Sequence, residues 1–460
     1  MKHTKIIATL GPATDTKQSI QKLVQAGVNC ARINTAHGDF DYYERIITAV
    51  RSESDIPIMI DVKGPEIRVR TQKKVEIGAG EDIEISFSKE DSIFFSYNFF
   101  DEVTVGDTIF IDGGSYKCTI KEKRVNPKRI LLQSKQDLLI KPNKGVNIPD
   151  KSLAIPSLSD KDKQALAFAA KHNISYVALS FVRSAEDIRN LKQHLQRDDI
   201  NIIAKIENHE GVENIDEILP LVEGVMVARG DLGIELGQER IPVIQKQLVK
   251  KAHRHGVISI VATEMLESMT KKPTPTRAEV SDVANAIIDG ADAVMLSGET
   301  AIGSHPTETV KTMSRISTHV ESDARHHVML NDTSSVSDQM SAAAHTIVSR
   351  PAVDALVVIG PSELGARLLS RFRNKKPIYL VTDNEMAYRQ SHLIWGTVPI
   401  STDFLPKENL VYHATKTVKS NGYIDSGSTT VCFASVSTIK DVYNLVEIHN
   451  VSDLEQYQER

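Results

Sequence analysis

Between residues 6 and 296 the chain keeps repeating one unit: a short aliphatic, β-branched run, then a stretch with helical spacing. Eight runs are legible: Ile6–Thr9, Val28–Ile33, Pro57–Ile60, Tyr176–Phe181, Ile202–Ile206, Gly224–Ala228, Val257–Ala262 and Asp292–Leu296. Parallel strands need a long crossover, and a helix supplies it, so this alternation predicts a parallel sheet. Most runs lead into an amphipathic segment; Ile241, Ile244, Leu248 and Ala252, for example, share one helical face. Ser159 with Asp162, and Thr276 with Glu279, have the spacing of capping boxes that start helices. Eight repeats favour a closed (β/α)8 TIM barrel over an open doubly wound sheet.

The period breaks once. More than a hundred residues separate the third run from the fourth, far beyond an ordinary βα connection. That segment carries short strands of its own, Val75–Ile77, Ile83–Ile85, Thr108–Ile111 and Lys128–Leu132, punctuated by Gly78, Gly80, Gly106, Gly113 and Gly114. It reads as a small β-barrel domain inserted in the third βα loop. That loop lies on the active-site face of a TIM barrel, so the insertion is placed to act as a lid. Beyond a polar stretch, Leu330–Ser337, a third pattern begins. A helix over Asp338–Arg350 is followed by the runs Ala355–Ile359, Ile378–Val381, Val398–Ile400, Thr430–Ala434 and Leu445–Ile448. The last two runs leave no room for a helix between them, so one is expected to be antiparallel. The expected division is a catalytic barrel over 1–69 and 150–328, a lid over 70–149, and a C-terminal α/β domain over 336–460.

Composition agrees with three domains, since 460 residues at about 150 each give that number. Lys+Arg 55 against Asp+Glu 60 leaves a net charge of −5, without the basic excess of a nucleic-acid binder. No run approaches the ~18 apolar residues of a membrane span, and Ile6–Leu10 is too short for a signal-peptide core. Cys30, Cys118 and Cys432 show no CxxC spacing and read as reduced, buried thiols. A cytoplasmic protein is expected.

The chemistry is concentrated where the strands end. Arg32 and Asn34 close the second run, Asp61 and Lys63 the third, Ser180 and Arg183 the fourth, and Lys205 and Glu207 the fifth. Arg229 and Asp231 close the sixth, Thr263 and Glu264 the seventh, Ser297 and Glu299 the eighth. Strand C-termini converge on one face of a barrel, and residues two apart point the same way. Charged residues that merely mark strand ends would explain one such pair, but not acids, amines and guanidiniums at nearly every end. Glu207 and Asp231 form the sparse carboxylate set that suits Mg²⁺. Lys205 and Arg32 suit a transferring phosphoryl group. Gly230 and Asp231 offer backbone amides to an anion. There is neither a Walker A sequence nor a GxGxxG after a strand, so a nucleotide must bind without those cradles.

With these residues in view, the chain closely resembles the pyruvate kinase family. The matching stretches are Thr4–Thr14, Ala31–Asn34, Asp61–Arg68, Lys144–Asn147, Ser180–Arg183, Lys205–Val212, Met226–Gly233, Thr263–Met269, Pro275–Asn285 and Met295–Thr300. They cover the barrel in the family's order. The resemblance implies phosphoryl transfer from phosphoenolpyruvate to ADP, with catalytic roles for Lys205, Arg32, Thr263 and Ser297. Lys205 stabilises the moving phosphoryl group, and Glu207 and Asp231 hold Mg²⁺. Gly230, Asp231 and Thr263 take the substrate carboxylate, and water near Thr263 and Ser297 delivers the proton. Asn34, His37, Arg68 and Lys144 serve the nucleotide, and Asn34, Asp61 and the Val62 carbonyl serve K⁺. A homotetramer is also implied.

Some positions depart from the family pattern. The usual Asn-Phe-Ser-His-Gly is Asn34-Thr-Ala-His-Gly38, so Ala36 lacks the hydroxyl expected on K⁺, and a weakened K⁺ site is expected. The lid has Gly113 in place of a second acid beside Asp112. In the loop Gly360–Gly365, Glu363 would oppose a bound phosphate, and the loop Ser435–Asp441 lacks the usual glycines, so no sugar-bisphosphate activation is expected. His253 and His255, at i, i+2, read as surface residues. Cys30 reads as a core thiol. Two rivals remain: a metal-dependent lyase or aldolase on the same barrel, and a non-catalytic paralogue. The intact Lys205, Glu207, Asp231 and Thr263 weigh against the second.

Overall fold

A computed structural model of the chain describes residues 2–64, 66–149, 151–323, 335–406, 408–435 and 444–458. Eight parallel strands close a barrel: β1 (Lys5–Thr9), β2 (Cys30–Asn34), β3 (Ile58–Val62), β4 (Tyr176–Leu179), β5 (Asn201–Ile206), β6 (Gly224–Ala228), β7 (Ile258–Ala262) and β8 (Ala293–Leu296). Each expected run is thus a strand, and β8 pairs with β1 to complete the ring. Side chains alternate along each strand. One set, including Ile6, Ile33, Ile60, Val177 and Ile202, packs under the surrounding helices. The other, including Ile7, Cys30, Met59, Tyr176, Ile203, Met226 and Met295, fills the interior. Two residues further on, Cys30 leads to Arg32, Met59 to Asp61 and Ile203 to Lys205, so the interior stack ends in charged groups at the barrel mouth. Burial pushes the Cys30 thiol up, which suits a core residue and no nucleophile.

The helix Ile241–His255 buries Ile241, Ile244, Leu248 and Ala252, and both expected capping boxes are formed. His253 departs from expectation. It is 5% exposed, lies against the Gly290 carbonyl at 2.8 Å, and is close to Asp292. Periodicity alone placed it on the surface, because the C-terminal domain that covers this helix leaves no mark on the helix's own sequence.

The insertion forms a second closed barrel of seven strands, Ile67–Thr71, Asp82–Ser86, Ile93–Phe95, Thr108–Ile111, Tyr116–Val125, Lys128–Ser134 and Lys144–Asn147, around Val69, Ile85, Phe99, Ile120 and Leu132. Val75–Ile77 pairs apart from it with Leu138–Ile140. The C-terminal sheet has the order Thr397–Ser401, Ile378–Thr382, Ala355–Ile359, Thr429–Ala434, Leu445–Asn450, and the last pair is antiparallel as its short connection requires. Residues 324–334, most of the expected polar connection, and 436–443, most of the last C-terminal loop, lie outside the described residues.

The C-terminal domain packs on the barrel end opposite the site. Tyr176 Oη donates to the Gln390 carbonyl at 2.6 Å and Lys5 Nζ to the Thr397 carbonyl at 2.7 Å, while Arg373 pairs with Asp292 at 3.0 Å. Glu363 joins this interface. Its carboxylate accepts from Asn201 Nδ2 at 3.0 Å and is only 6% exposed, so it faces the barrel and not a ligand in its own loop.

Candidate active site

The barrel mouth holds a row of alternating charges. Arg32 Nη2 lies 2.7 Å from Asp61 Oδ2, and its Nη1 donates to Thr9 Oγ1 at 2.8 Å. Lys205 Nζ is 3.2 Å from Asp61 Oδ1, 3.2 Å from Glu207 Oε1 and 2.6 Å from Ser180 Oγ. All of these side chains are buried. Burial alone would push the Asp61 carboxyl up, but Arg32 and Lys205 override it and hold it below the usual carboxylate range. Burial likewise opposes charge on Lys205, yet Asp61 and Glu207 raise it above the ordinary lysine value. Lys205 therefore stays an ammonium at neutral pH, suited to offsetting charge and unsuited to giving up a proton.

Glu207 differs. Burial, and then the negative charges of Asp231 and Asp61, push its carboxyl up to about 7 even against Lys205, although the Phe181 amide donates to it at 2.8 Å. Asp231 is raised too, by burial and then by Glu66 and Glu235, against the pull of Lys205. A buried and a half-buried carboxylate that resist ionising together are a seat for a divalent cation, whose charge would let both ionise. Hard oxygen donors in this number fit Mg²⁺. Among the described residues no cluster of three His, Cys, Asp or Glu side chains forms a fuller metal site.

On the far side of the mouth, Asp231 lies in the helix Arg229–Leu236, which starts directly after β6. The Gly230 amide donates to Thr263 Oγ1 at 2.9 Å. Thr263 and Glu264 have φ of +67° and +53°. A β-branched threonine in the left-handed region is strained by roughly 1–3 kcal/mol, and such strain collects at functional sites. Next to it, fully buried Glu299 accepts from the Ser297 amide at 2.7 Å and the Leu266 amide at 3.1 Å, joining the ends of β7 and β8.

The lid leans over this surface. Asn147 Nδ2 donates to Glu235 at 3.1 Å, and Gly114 comes so near Ile234 that an added Cβ would sit 3.1 Å from it. A cleft of about 400 Å³ opens between the lid and the barrel, lined by Glu66, Arg68, Asp112, Lys144 and Asp231, among others. Arg68 pairs with Glu66 at 2.8 Å and Lys144 with Asp112 at 2.7 Å. His37 is exposed, and its carbonyl accepts from Tyr43 at 2.7 Å. The oxygens expected around K⁺ already serve neighbours. Asn34 Oδ1 accepts from the Ala36 amide at 3.0 Å and the Val62 carbonyl from the Ser180 amide at 3.2 Å, while Asp61 is held by Arg32 and Lys205.

Some contributors go beyond the expected set. Thr9 could have been found by parity, two residues beyond the interior Ile7. Ser180 is the strand-end serine expected after β4, but its bridge to Lys205 and the Phe181 amide, with φ +54°, depend on the turn there and leave no local signal.

The family model of the pyruvate kinase barrel domain matches residues 1–310, and that of the pyruvate kinase alpha/beta domain matches residues 338–449. The chain belongs to the pyruvate kinase family. It is 36% identical to the pyruvate kinase of Bacillus licheniformis over 478 residues, covering 99% of this chain and 81% of that one. With the pyruvate kinase of Geobacillus stearothermophilus it shares 37% over 481 residues, covering 98% and 81%. The match to pyruvate kinase over both parts of the chain accounts for the closed TIM barrel and the α/β domain that follows it. No helix among the described residues is long and apolar enough to cross a membrane.

Proposed function

We propose that this chain transfers the phosphoryl group of phosphoenolpyruvate to ADP, giving pyruvate and ATP, as a cytoplasmic homotetramer in glycolysis. The observation that carries the reading is the buried Asp61–Lys205–Glu207 row, with Arg32 on Asp61 and Asp231 close enough to raise Glu207. Two fixed cations face the place where phosphoryl charge shifts, and preorganised charge of this kind is the main source of catalysis in phosphoryl transfer. Lys205 stabilises the phosphoryl group in flight. Arg32, kept in place by Thr9 and Asp61, binds it at both ends of the transfer. The Gly230 and Asp231 amides with the Thr263 hydroxyl take the substrate carboxylate. Pyruvate enolate needs a proton on carbon; permanently charged Lys205 is a poor donor, so water ordered by Thr263 and Ser297 delivers it.

Glu207 and Asp231 would hold Mg²⁺, which supplies positive charge to the bound oxygens. Asn34, His37, Arg68 and Lys144 bind the nucleotide in the cleft under the lid. The strand Ile67–Thr71 helps close the second barrel, with Ile67 and Val69 in its core, so we move the expected boundary to just before it and assign the catalytic barrel to 1–66 and 150–328, the lid to 67–149 and the α/β domain to 336–460. The K⁺ site of Asn34, Asp61 and the Val62 carbonyl is weakened by Ala36. Glu363 is turned onto Asn201 and so does not itself oppose a phosphate; the absence of sugar-bisphosphate activation rests on the glycine-poor sequence of the loop Ser435–Asp441. The test is a coupled assay for ATP formation from phosphoenolpyruvate and ADP, with and without K⁺, beside an assay for aldol cleavage of 2-keto acids. ATP formation is expected. Its absence from a folded preparation, or aldol cleavage in its place, sinks the proposal.

A further inference from the structure

The seventh strand ends in a turn that its own sequence does not favour. Thr263 and Glu264 both sit at positive φ, and neither is the glycine or asparagine that tolerates this region. Something outside the turn must hold it. One side chain does so from the neighbouring strand: Arg229, 7% exposed, at the first position after β6. Its Nη2 donates to the Thr263 carbonyl at 2.6 Å and the Glu264 carbonyl at 3.2 Å, and lies 3.0 Å from Met265 Sδ. Its Nε donates to the Ala262 carbonyl at 3.3 Å, and its Nη1 is anchored by Asp282 at 2.6 Å. A single planar guanidinium thus reaches three successive carbonyls, from the last residue of β7 through the strained turn.

We infer that Arg229 is a positioning residue: it fixes the left-handed Thr263–Glu264 turn so that the Thr263 hydroxyl meets the Gly230 amide at the substrate's carboxylate. This rests on the role given to Thr263 above. The geometry joins the two residues twice. Arg229 holds the Thr263 carbonyl, while the next residue in its own helix, Gly230, holds the Thr263 hydroxyl at 2.9 Å. Lysine cannot replace this arrangement, because one ammonium on a flexible stem lacks the fork that spans neighbouring acceptors. The positive charge on Arg229 is directed at carbonyls and Asp282, so its part is to place another group and not to touch substrate.

The experiment compares Arg229→Lys, Arg229→Ala, Thr263→Ala and the Arg229→Lys/Thr263→Ala pair in the full chain, with circular dichroism and melting as fold controls. Arg229→Lys should lower kcat ~30–100-fold, the scale of a misplaced catalytic group, while the KM for ADP stays unchanged. Added guanidinium should restore part of the kcat of Arg229→Ala, and methylammonium should not. Should Arg229→Ala fail to fold, Asp282→Asn takes its place and should show a smaller loss of the same kind. In the double variant the losses should be far from additive. Near-normal kcat in folded Arg229→Lys beside an impaired Thr263→Ala overturns this inference alone, as do additive losses or an equal rise in the KM for ADP. Full activity in Thr263→Ala overturns the reading of Thr263 and this inference with it.

Discussion

Replacing Lys205 by methionine is the sharpest test of the charge row at the barrel mouth. The ammonium is buried and lies 3.2 Å from both Asp61 and Glu207, with Ser180 Oγ at 2.6 Å. At an effective dielectric of about 20, a unit charge pair near 4 Å is worth ~4 kcal/mol. If half of that is gained only as phosphoryl charge moves toward the transition state, the loss is ~2 kcal/mol, or ~30-fold in rate. Glu207 also loses a partner and shifts, and removal of one positioned donor elsewhere costs ~100- to 1,000-fold, so a fall in kcat of at least ~100-fold is expected. The fold should survive. Asp61 keeps Arg32 at 2.7 Å, and Glu207 keeps the Phe181 amide. Glu207, already pushed up to about 7, can take a proton once its cation is gone. Methionine approximates the lost side chain's volume without charge. The assay is steady-state ATP formation from phosphoenolpyruvate and ADP, with a urea melt on the same preparation. A cooperatively folded Lys205→Met protein with near-wild-type kcat would refute the electrostatic argument.

Three further outcomes are expected. Ala36→Ser returns a hydroxyl beside Asn34 and should lower the K⁺ concentration for half-maximal activity; strict millimolar K⁺ dependence in the unaltered chain would contradict the weakened site. Burial opposes charge on Asp292, but Arg373 and then His253 hold its carboxyl below the usual range, so the ionised form stabilises the fold fully above the ordinary value of about 3.9 and loses that effect as pH falls through the lower folded value. Asp292→Asn should therefore cost ~3–5 kcal/mol in urea titrations at pH 7, with the gap narrowing below about pH 4, and a gap that ignores pH would count against the ion pair. Tyr176→Phe leaves the Gln390 carbonyl without its 2.6 Å donor and should cost ~1–3 kcal/mol, read as an earlier urea midpoint; an unchanged midpoint would mean that this bond does not tie the two domains.

What the sequence revealed and what it hid follow from the range of the forces involved. Strand parity is local, so Cys30 to Arg32, Met59 to Asp61 and Ile203 to Lys205 could be followed by counting, and closure of the barrel brings those three charges into contact. The insertion was visible because it broke a spacing rule, but its pairing was not: Val75–Ile77 has the pattern of any short strand, and only its long-range partner Leu138–Ile140 decides where it lies. His253 and Glu363 were misread for the same reason. Each faces the seam between barrel and C-terminal domain, and burial at a seam is set by residues more than a hundred positions away. The turn at Thr263 is the extreme case, since local preference there points away from the observed backbone. A threonine and a glutamate go left-handed because Arg229 collects the carbonyls that this conformation presents. Where local propensity and the final backbone disagree, the stabilising contact must come from another element, and here it comes from the residue beside the amide that holds the Thr263 hydroxyl.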